Sequence, residues 1–216
     1  MIRIAIDGPS GAGKSTVAKA VAERLGIDYI DTGAMYRALG YKMKLKKVEP
    51  VEDDRLAELL NSTEIDFSEG NIFLDGEIVN DRIRTPEISM AASACSALAS
   101  VRKKLVEIQQ GMAGRKSVVM DGRDIGTVVL PDAELKYFIT ASPEERASRR
   151  YRELIAKGQD VSYDRILSET CERDHNDSTR EVTPLRRADD AVLLDTTDMT
   201  AEEVINRICT DACKMI

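Results

Sequence analysis

The chain has 216 residues and a mass of 23.9 kDa, room for one globular domain with a sizeable core, which excludes a staple-dependent mini-scaffold. With 43% hydrophobic and 32% charged residues it is neither disordered nor fibrous. A net charge of -7 argues against non-specific nucleic-acid or membrane-surface binding, which needs a basic face.

The expected elements run as follows. Arg3 to Asp7 (RIAID) reads as a short buried strand. Lys14 to Leu25 carries Val17, Ala18, Val21, Ala22 and Leu25 at helical spacing, with Gly26 as its C-cap. Tyr29 to Asp31 is a second strand and Ala34 to Lys46 a second helix, so the chain opens βαβα. Between Ser62 and Val79 the pattern becomes TEIDF, NIFLD and EIV, short strands separated by SEGN and the Asp75-Gly76 pair, a strong hairpin signal. This predicts a small antiparallel insert. Pro86 starts a helix that continues through Ala91 to Ala99, and Arg102 to Gln110 makes another that ends near Gly111 and Gly114. Ser117 to Met120, Leu135 to Ile139 and Val192 to Leu194 return to buried strands. Pro143 to Ile155 and Ser162 to Asp174 read as helices around the turn Lys157-Gly158-Gln159, and a last helix runs from Ala201 to about Lys214. Five parallel strands joined by helical stretches predict a doubly wound α/β sheet.

No apolar run is long enough to span a bilayer, and no apolar core with a small-residue cleavage site follows Met1, so a cytoplasmic protein is expected. Cys95, Cys171, Cys209 and Cys213 match neither a zinc nor a CxxC redox pattern and are expected as reduced packing residues. Arg outnumbers Lys, 19 to 12. Its planar fork suits phosphate, so the balance is compatible with a pocket for a phosphorylated ligand or with plain surface solubility.

Gly8, Pro9, Ser10, Gly11, Ala12, Gly13, Lys14 and Ser15 spell GPSGAGKS, a full GxxxxGKS phosphate loop between a strand and a helix, followed by Thr16. Glycines let successive N–H groups curl around a phosphate, Lys14 adds charge at the β and γ oxygens, and the Ser15 hydroxyl faces Mg²⁺ at the helix N-terminus. Nucleotide binding follows. No NKxD segment accompanies it, which argues against a GTPase, and the chain is short for an ATPase motor. A small phosphotransferase remains, and it needs positive charge opposite the loop. Thr32 and Arg37 follow the second strand, and Asp121-Gly122-Arg123-Asp124 follows the next core strand, at the sheet edge where α/β ligands sit. Glu172-Arg173-Asp174 and Asp177-Ser178-Thr179-Arg180 add polar groups near the fifth strand.

Taken together, GPSGAGKST, DTGAMYR, DGRDIGT and the ERD, DSTR and PL stretch resemble bacterial cytidylate kinases, from about Ile4 to Ile208. The hairpin-rich insert is similar to that family's enlarged monophosphate-binding region. The resemblance implies a phosphate-loop three-layer fold with a five-stranded parallel sheet, a small antiparallel insert and a helical lid. It implies one kinase domain over 1–216, with a core of about 1–37, 112–142 and 176–216, an insert of about 38–111 and a lid of about 143–175. It also implies transfer of the γ-phosphate of ATP to CMP or dCMP with Mg²⁺.

By motif, Arg37, Arg123 and Arg180 would hold the CMP phosphate, and Arg173 would help neutralise the transferring group. Ser93, Arg102 and Asp124 would read the cytosine edge, whose amine donor and ring acceptors suit a carboxylate beside a guanidinium. Thr32 and Asp177 fall near the sugar, and Tyr36 either stacks on the base or packs. The run Arg146, Arg149, Arg150, Arg152 resembles the mobile lid, with Arg146 and Arg150 reaching ATP, or else forms a solvated face paired with Glu144, Glu145 and Glu153. By analogy with the acidic residue ending a core strand in other phosphate-loop enzymes, Asp121 would orient Mg²⁺ through water, beside Ser15. His175 is given no role. Thr32 stands where many relatives have Ser, and Ser15-Thr16 where some have Gly-Thr; a hydroxyl is kept in each case. The resemblance favours a monomer without nucleic-acid or membrane partners. On the residues alone, a UMP or AMP kinase and a nucleotide-binding regulatory module without turnover stay open.

Overall fold

In the computed structural model, which describes residues 1–68 and 70–215, the chain runs β1 (Arg3–Asp7), α1 (Lys14–Leu25), β2 (Asp28–Asp31), α2 (Thr32–Lys46), α3 (Asp54–Asn61), β3 (Ile65–Ser68), β4 (Asn71–Leu74) and β5 (Glu77–Ile78). It continues α4 (Pro86–Cys95), α5 (Ala99–Ala113), β6 (Val118–Gly122), a π-helical turn (Ile125–Val129), β7 (Leu135–Thr140), α6 (Pro143–Ala156), α7 (Tyr163–Thr179), β8 (Val192–Asp195) and α8 (Ala201–Cys213). Two compact units result: Met1–Tyr29 with Lys116–Ile216, and Ile30–Arg115. Among the described residues, no helix is long and apolar enough to cross a membrane.

In the larger unit the expected parallel sheet forms, in the order β2-β6-β1-β7-β8. Central β1 pairs Ile4 with Val119 on one side and with Leu135 on the other. Ile4, Ile6, Val119 and Ile139 are fully buried, as expected for a sheet covered on both faces. Helix α1 sets Val17, Ala18, Val21 and Ala22 into this core beside Val204, Ile205, Ile208 and Ala212 of α8. Burying each of the larger side chains contributes about 1.5–3 kcal/mol. Gly26 ends α1 in the left-handed region at φ 63, as its position predicts. At the start of α8, Thr200 and Glu203 form a reciprocal capping box.

In the smaller unit, α2 packs closely on α4 because Gly40 has no side chain: a Cβ there would lie 2.9 Å from the Ala92 nitrogen. The insert is a three-stranded antiparallel sheet, with Ile65 opposite Leu74 and Phe73 opposite Ile78. Asp75 and Gly76 turn it at φ 52 and 84, the left-handed pair of a type I′ hairpin. Of the expected SEGN turn, Glu69 lies outside the described residues. Buried Lys42 on α2 donates to the Ser62 carbonyl at 2.7 Å and pairs with Asp75 at 2.6 Å, pinning the hairpin.

Several features depart from the sequence expectation. Helix α4 ends at Cys95 rather than continuing to Ala99, and α5 starts at Ala99 rather than Arg102, because Leu98 takes an extended backbone at φ -82, ψ 132 between them. Helix α2 starts at Thr32, before Ala34, because the Asp31 side chain caps it by accepting the Ala34 N–H at 2.8 Å. Helix α3 was not anticipated; its signals are the Asp53 cap and buried Leu56, Leu59 and Leu60 at one-face spacing. Helix α7 continues past Asp174 to Thr179, and only Ile166 of it is buried, so hydrophobic period marks no end. The π-helical turn has no period of its own; the Leu130 N–H reaches back to the Ile125 carbonyl at 2.6 Å. The four cysteines are unpaired, but only Cys95 is fully buried; Cys171 and Cys213 are exposed, not packing.

Candidate active site

At the carboxyl end of β1, between its neighbours β6 and β7, the loop Gly8–Gly13 leads into α1. Gly8, Gly11 and Gly13 take φ of 145, 76 and 88. Glycine at position 8 is enforced twice, since a Cβ there would stand 1.9 Å from the Ile139 carbonyl oxygen. No side chain caps the start of α1, leaving its first N–H groups to an anion. Lys14 is only 6% exposed, and its ammonium donates to the Pro9 carbonyl at 2.8 Å. Burial and then the charge of Arg123 pull its pKa below the usual lysine range, against the opposing pull of Asp121, Asp7 and Asp177. A bound phosphate would add to the counter-charge that these carboxylates supply.

Next to the loop, Asp121 at the end of β6 is buried and accepts from two hydroxyls. Ser15 Oγ reaches one carboxylate oxygen at 2.8 Å, and Tyr29 Oη reaches the other at 2.8 Å. This pair of oxygen donors beside a phosphate loop fits Mg²⁺, a hard cation that is held through one or two protein oxygens, water and substrate phosphates. Among the described residues there is no cluster of three or more His, Cys, Asp or Glu groups that could hold a metal ion.

Asp7 closes the same end of the sheet. Its carboxylate accepts the N–H groups of Ile125 at 2.8 Å and Gly126 at 2.7 Å, tying the strand before the phosphate loop to the π-helical turn after Arg123 and Asp124. Burial pushes its pKa up to about 6 even though both N–H bonds pull it down. Asp124 is itself buried, and its carbonyl accepts from Val128 at 2.9 Å.

Several of the larger unit's arginines take separate partners. Arg123 Nε donates to Asp177, in the last turn of α7, at 2.7 Å. Arg180, just beyond α7, donates to the Thr183 carbonyl at 2.6 Å. Arg173 on α7 is exposed. Arg146 on α6 is 3% exposed; it donates to the Ala141 carbonyl at 2.9 Å and the Ser10 carbonyl at 2.9 Å, and it forks onto Asp174. It thus joins the phosphate loop to α7. Arg149 turns to the Thr196 carbonyl at 2.7 Å, and Arg150 stays exposed, paired with Glu153 at 2.8 Å. The expected one-face arginine row therefore ends on three different partners.

In the smaller unit, Thr32 is buried in the first turn of α2, and Arg37 one turn on pairs with the capping Asp31 at 2.9 Å. Arg37 Nε is buried without a hydrogen-bond partner among the described residues. Arg102 on α5 is 3% exposed, donates to the Ser96 carbonyl at 3.1 Å and lies 5.6 Å over the Tyr36 ring. Ser93 is exposed on α4. A groove of about 710 Å³ in this unit, lined in part by Phe73, Lys104, Glu107 and Arg115, contains none of these residues.

Sequence motifs point to Lys14, Ser15, Asp121 and the arginines, and DTGAMYR includes Asp31 without giving it a role; Asp7 and Tyr29 lie outside them. Asp31 carries a cap signal three residues before Ala34. Asp7 and Tyr29 carry none, since their partners are more than ninety residues away.

A lysine-bearing phosphate loop at the end of the central strand of a five-stranded parallel sheet defines a phosphate-loop kinase fold. The solved shikimate kinase of Bacteroides thetaiotaomicron shares it, with TM-score 0.50 at 12% identity over 98% of both chains. Sequence similarity is narrower. A model of the Cytidylate kinase family matches residues 4–214. A cytidylate kinase of Caldicellulosiruptor bescii is 53% identical over 96% of this chain and 93% of its own, and one of Thermosipho melanesiensis is 52% identical over 95% and 94%. The chain belongs to the cytidylate kinase family.

Proposed function

We propose that the protein transfers the γ-phosphate of ATP to CMP or dCMP, forming the diphosphate and ADP with Mg²⁺. The observation that carries this reading is buried Lys14 in its phosphate loop, beside the Ser15–Asp121 pair, in a chain of the cytidylate kinase family. Gly8 to Thr16 would bind ATP, with Arg146 and Arg150 contributing from α6. An oxygen of the CMP phosphate would attack the γ-phosphorus as the bond to the bridging β–γ oxygen breaks, and the electrons would leave with ADP. The attacking oxygen is already anionic, so no catalytic base is required. Lys14, Arg123, Arg173 and Arg180 would act by offsetting charge that repels two polyanions. Mg²⁺, held by Ser15 and by Asp121 through water, would neutralise the β- and γ-phosphate oxygens.

Arg37, Arg123, Arg173 and Arg180 would hold the monophosphate, Thr32 and Asp177 the sugar, and Ser93, Arg102 and Asp124 the base edge beside Tyr36. The insert would serve the monophosphate and α6–α7 would act as the lid. We take the protein to be a cytoplasmic monomer that needs no nucleic-acid partner. Phosphoryl transfer measured with CMP, dCMP, UMP and AMP as acceptors tests the reading: CMP or dCMP should lead by at least about tenfold, and preference for AMP would end it.

A further inference from the structure

We propose that Tyr29 is a positioning residue for the metal ion, acting through Asp121. The inference rests on the nucleotide-binding half of the functional reading.

The geometry is a three-element relay within the larger unit. Tyr29 lies on β2, Asp121 ends β6, the neighbouring strand, and Ser15 begins α1. Each oxygen of the buried carboxylate accepts one hydroxyl, from Tyr29 at 2.8 Å and from Ser15 at 2.8 Å. A hydroxyl that coordinates a cation must offer a lone pair and send its proton elsewhere. Asp121 Oδ2 accepts the hydrogen bond from the Ser15 O–H, leaving a lone pair of the Ser15 oxygen to face a metal. The carboxylate performs this role only in one rotation about its Cβ–Cγ bond. With Ser15 on Oδ2, the Tyr29 hydroxyl on Oδ1 restrains that rotation from the opposite side. Its ring packs against the hydrophobic core, so the phenol is itself held by the sheet. Partners of ligating carboxylates in this outer position change metal affinity by about 10- to 100-fold when removed.

The test is Tyr29→Phe, which keeps the packed ring and removes only the oxygen. Mn²⁺ binding is titrated by electron paramagnetic resonance on protein saturated with a non-hydrolysable ATP analogue, with no acceptor present. Tyr29→Phe should weaken Mn²⁺ binding by about tenfold. It should also raise the Mg²⁺ concentration for half-maximal turnover by a similar factor, with kcat recovered at saturating Mg²⁺ and KM for CMP unchanged. Equal Mn²⁺ affinity in wild type and variant overturns the proposal, whether or not the melting temperature falls, because a purely packing tyrosine changes stability alone. A proportionate rise in KM for CMP also overturns it, since the effect would then not be confined to the metal. Because no acceptor is used, wild type that binds Mn²⁺ with nucleotide but ignores CMP sinks the cytidylate reading and leaves this one standing. Wild type that binds no Mn²⁺ with nucleotide overturns both.

Discussion

The phosphate-loop end of the larger unit and the arginine-bearing helices of the smaller unit hold their charges by different means. In the first, groups at the ends of strands lock one another: Lys14 onto the Pro9 carbonyl, Asp121 between two hydroxyls, Asp7 between two backbone N–H groups. In the second, Arg37 leans on the cap of its own helix and keeps a buried Nε without a partner, while Arg102 lies over Tyr36. Strand ends are fixed by neighbouring strands, so chemistry placed there is preorganised. Groups carried on helices depend on side-chain packing.

That contrast can be broken, beginning with the largest expected effect. Gly8→Ala should cost at least about 4 kcal/mol of stability in urea unfolding, because its methyl meets the Ile139 backbone oxygen. Gly13→Ala, with open space around its Cβ and only φ 88 to strain it, should cost about 1–2 kcal/mol. Similar costs would mean the loop is not held by β7 as described.

Lys14→Ala should lower kcat for CMP phosphorylation by about 10²-fold or more in steady-state assays. Retention of wild-type turnover would remove the lysine from the chemistry.

Asp7 ties fold stability to pH. Its pKa rises from 3.8 to about 6 on folding, so the native state binds the proton first. That contribution is fully present below about pH 4 and is lost as pH rises through about 6. Relative to Asp7→Asn, wild type should therefore lose about 2 kcal/mol between pH 4 and 7, measured by denaturant unfolding across that range. A flat difference between the two proteins would show that Asp7 is solvated.

The smallest effect sharpens the contrast on the other side. Arg102→Ala should reduce the ratio of CMP to UMP efficiency by about tenfold while KM for ATP stays constant. Asp124→Ala, although anchored in the larger unit, should do the same if both read the base.

Much of this was legible because short-range chemistry writes itself into spacing. The phosphate loop, the Asp75-Gly76 turn and the Gly26 cap each need particular backbone angles within a few residues, and glycine supplies them. Helix α3 is legible too, through the Asp53 cap and three leucines on one face. The second half of α7 is hidden for a different reason: it fully buries no residue and so shows no apolar period, and the hydroxyls of Ser178 and Thr179 bond back to its own carbonyls.

The sequence by itself determined the fold class, the nucleotide loop and the family, since each depends on residues that act together over short stretches. Tertiary structure alone decided which partner each charge takes. It paired Tyr29 with Asp121, set Asp7 on the π-helical turn and drew Arg146 away from Arg150 onto the phosphate loop. Hydrogen bonds between residues far apart in the chain are fixed by strand order and register, and those follow from how the whole apolar core closes rather than from any local pattern.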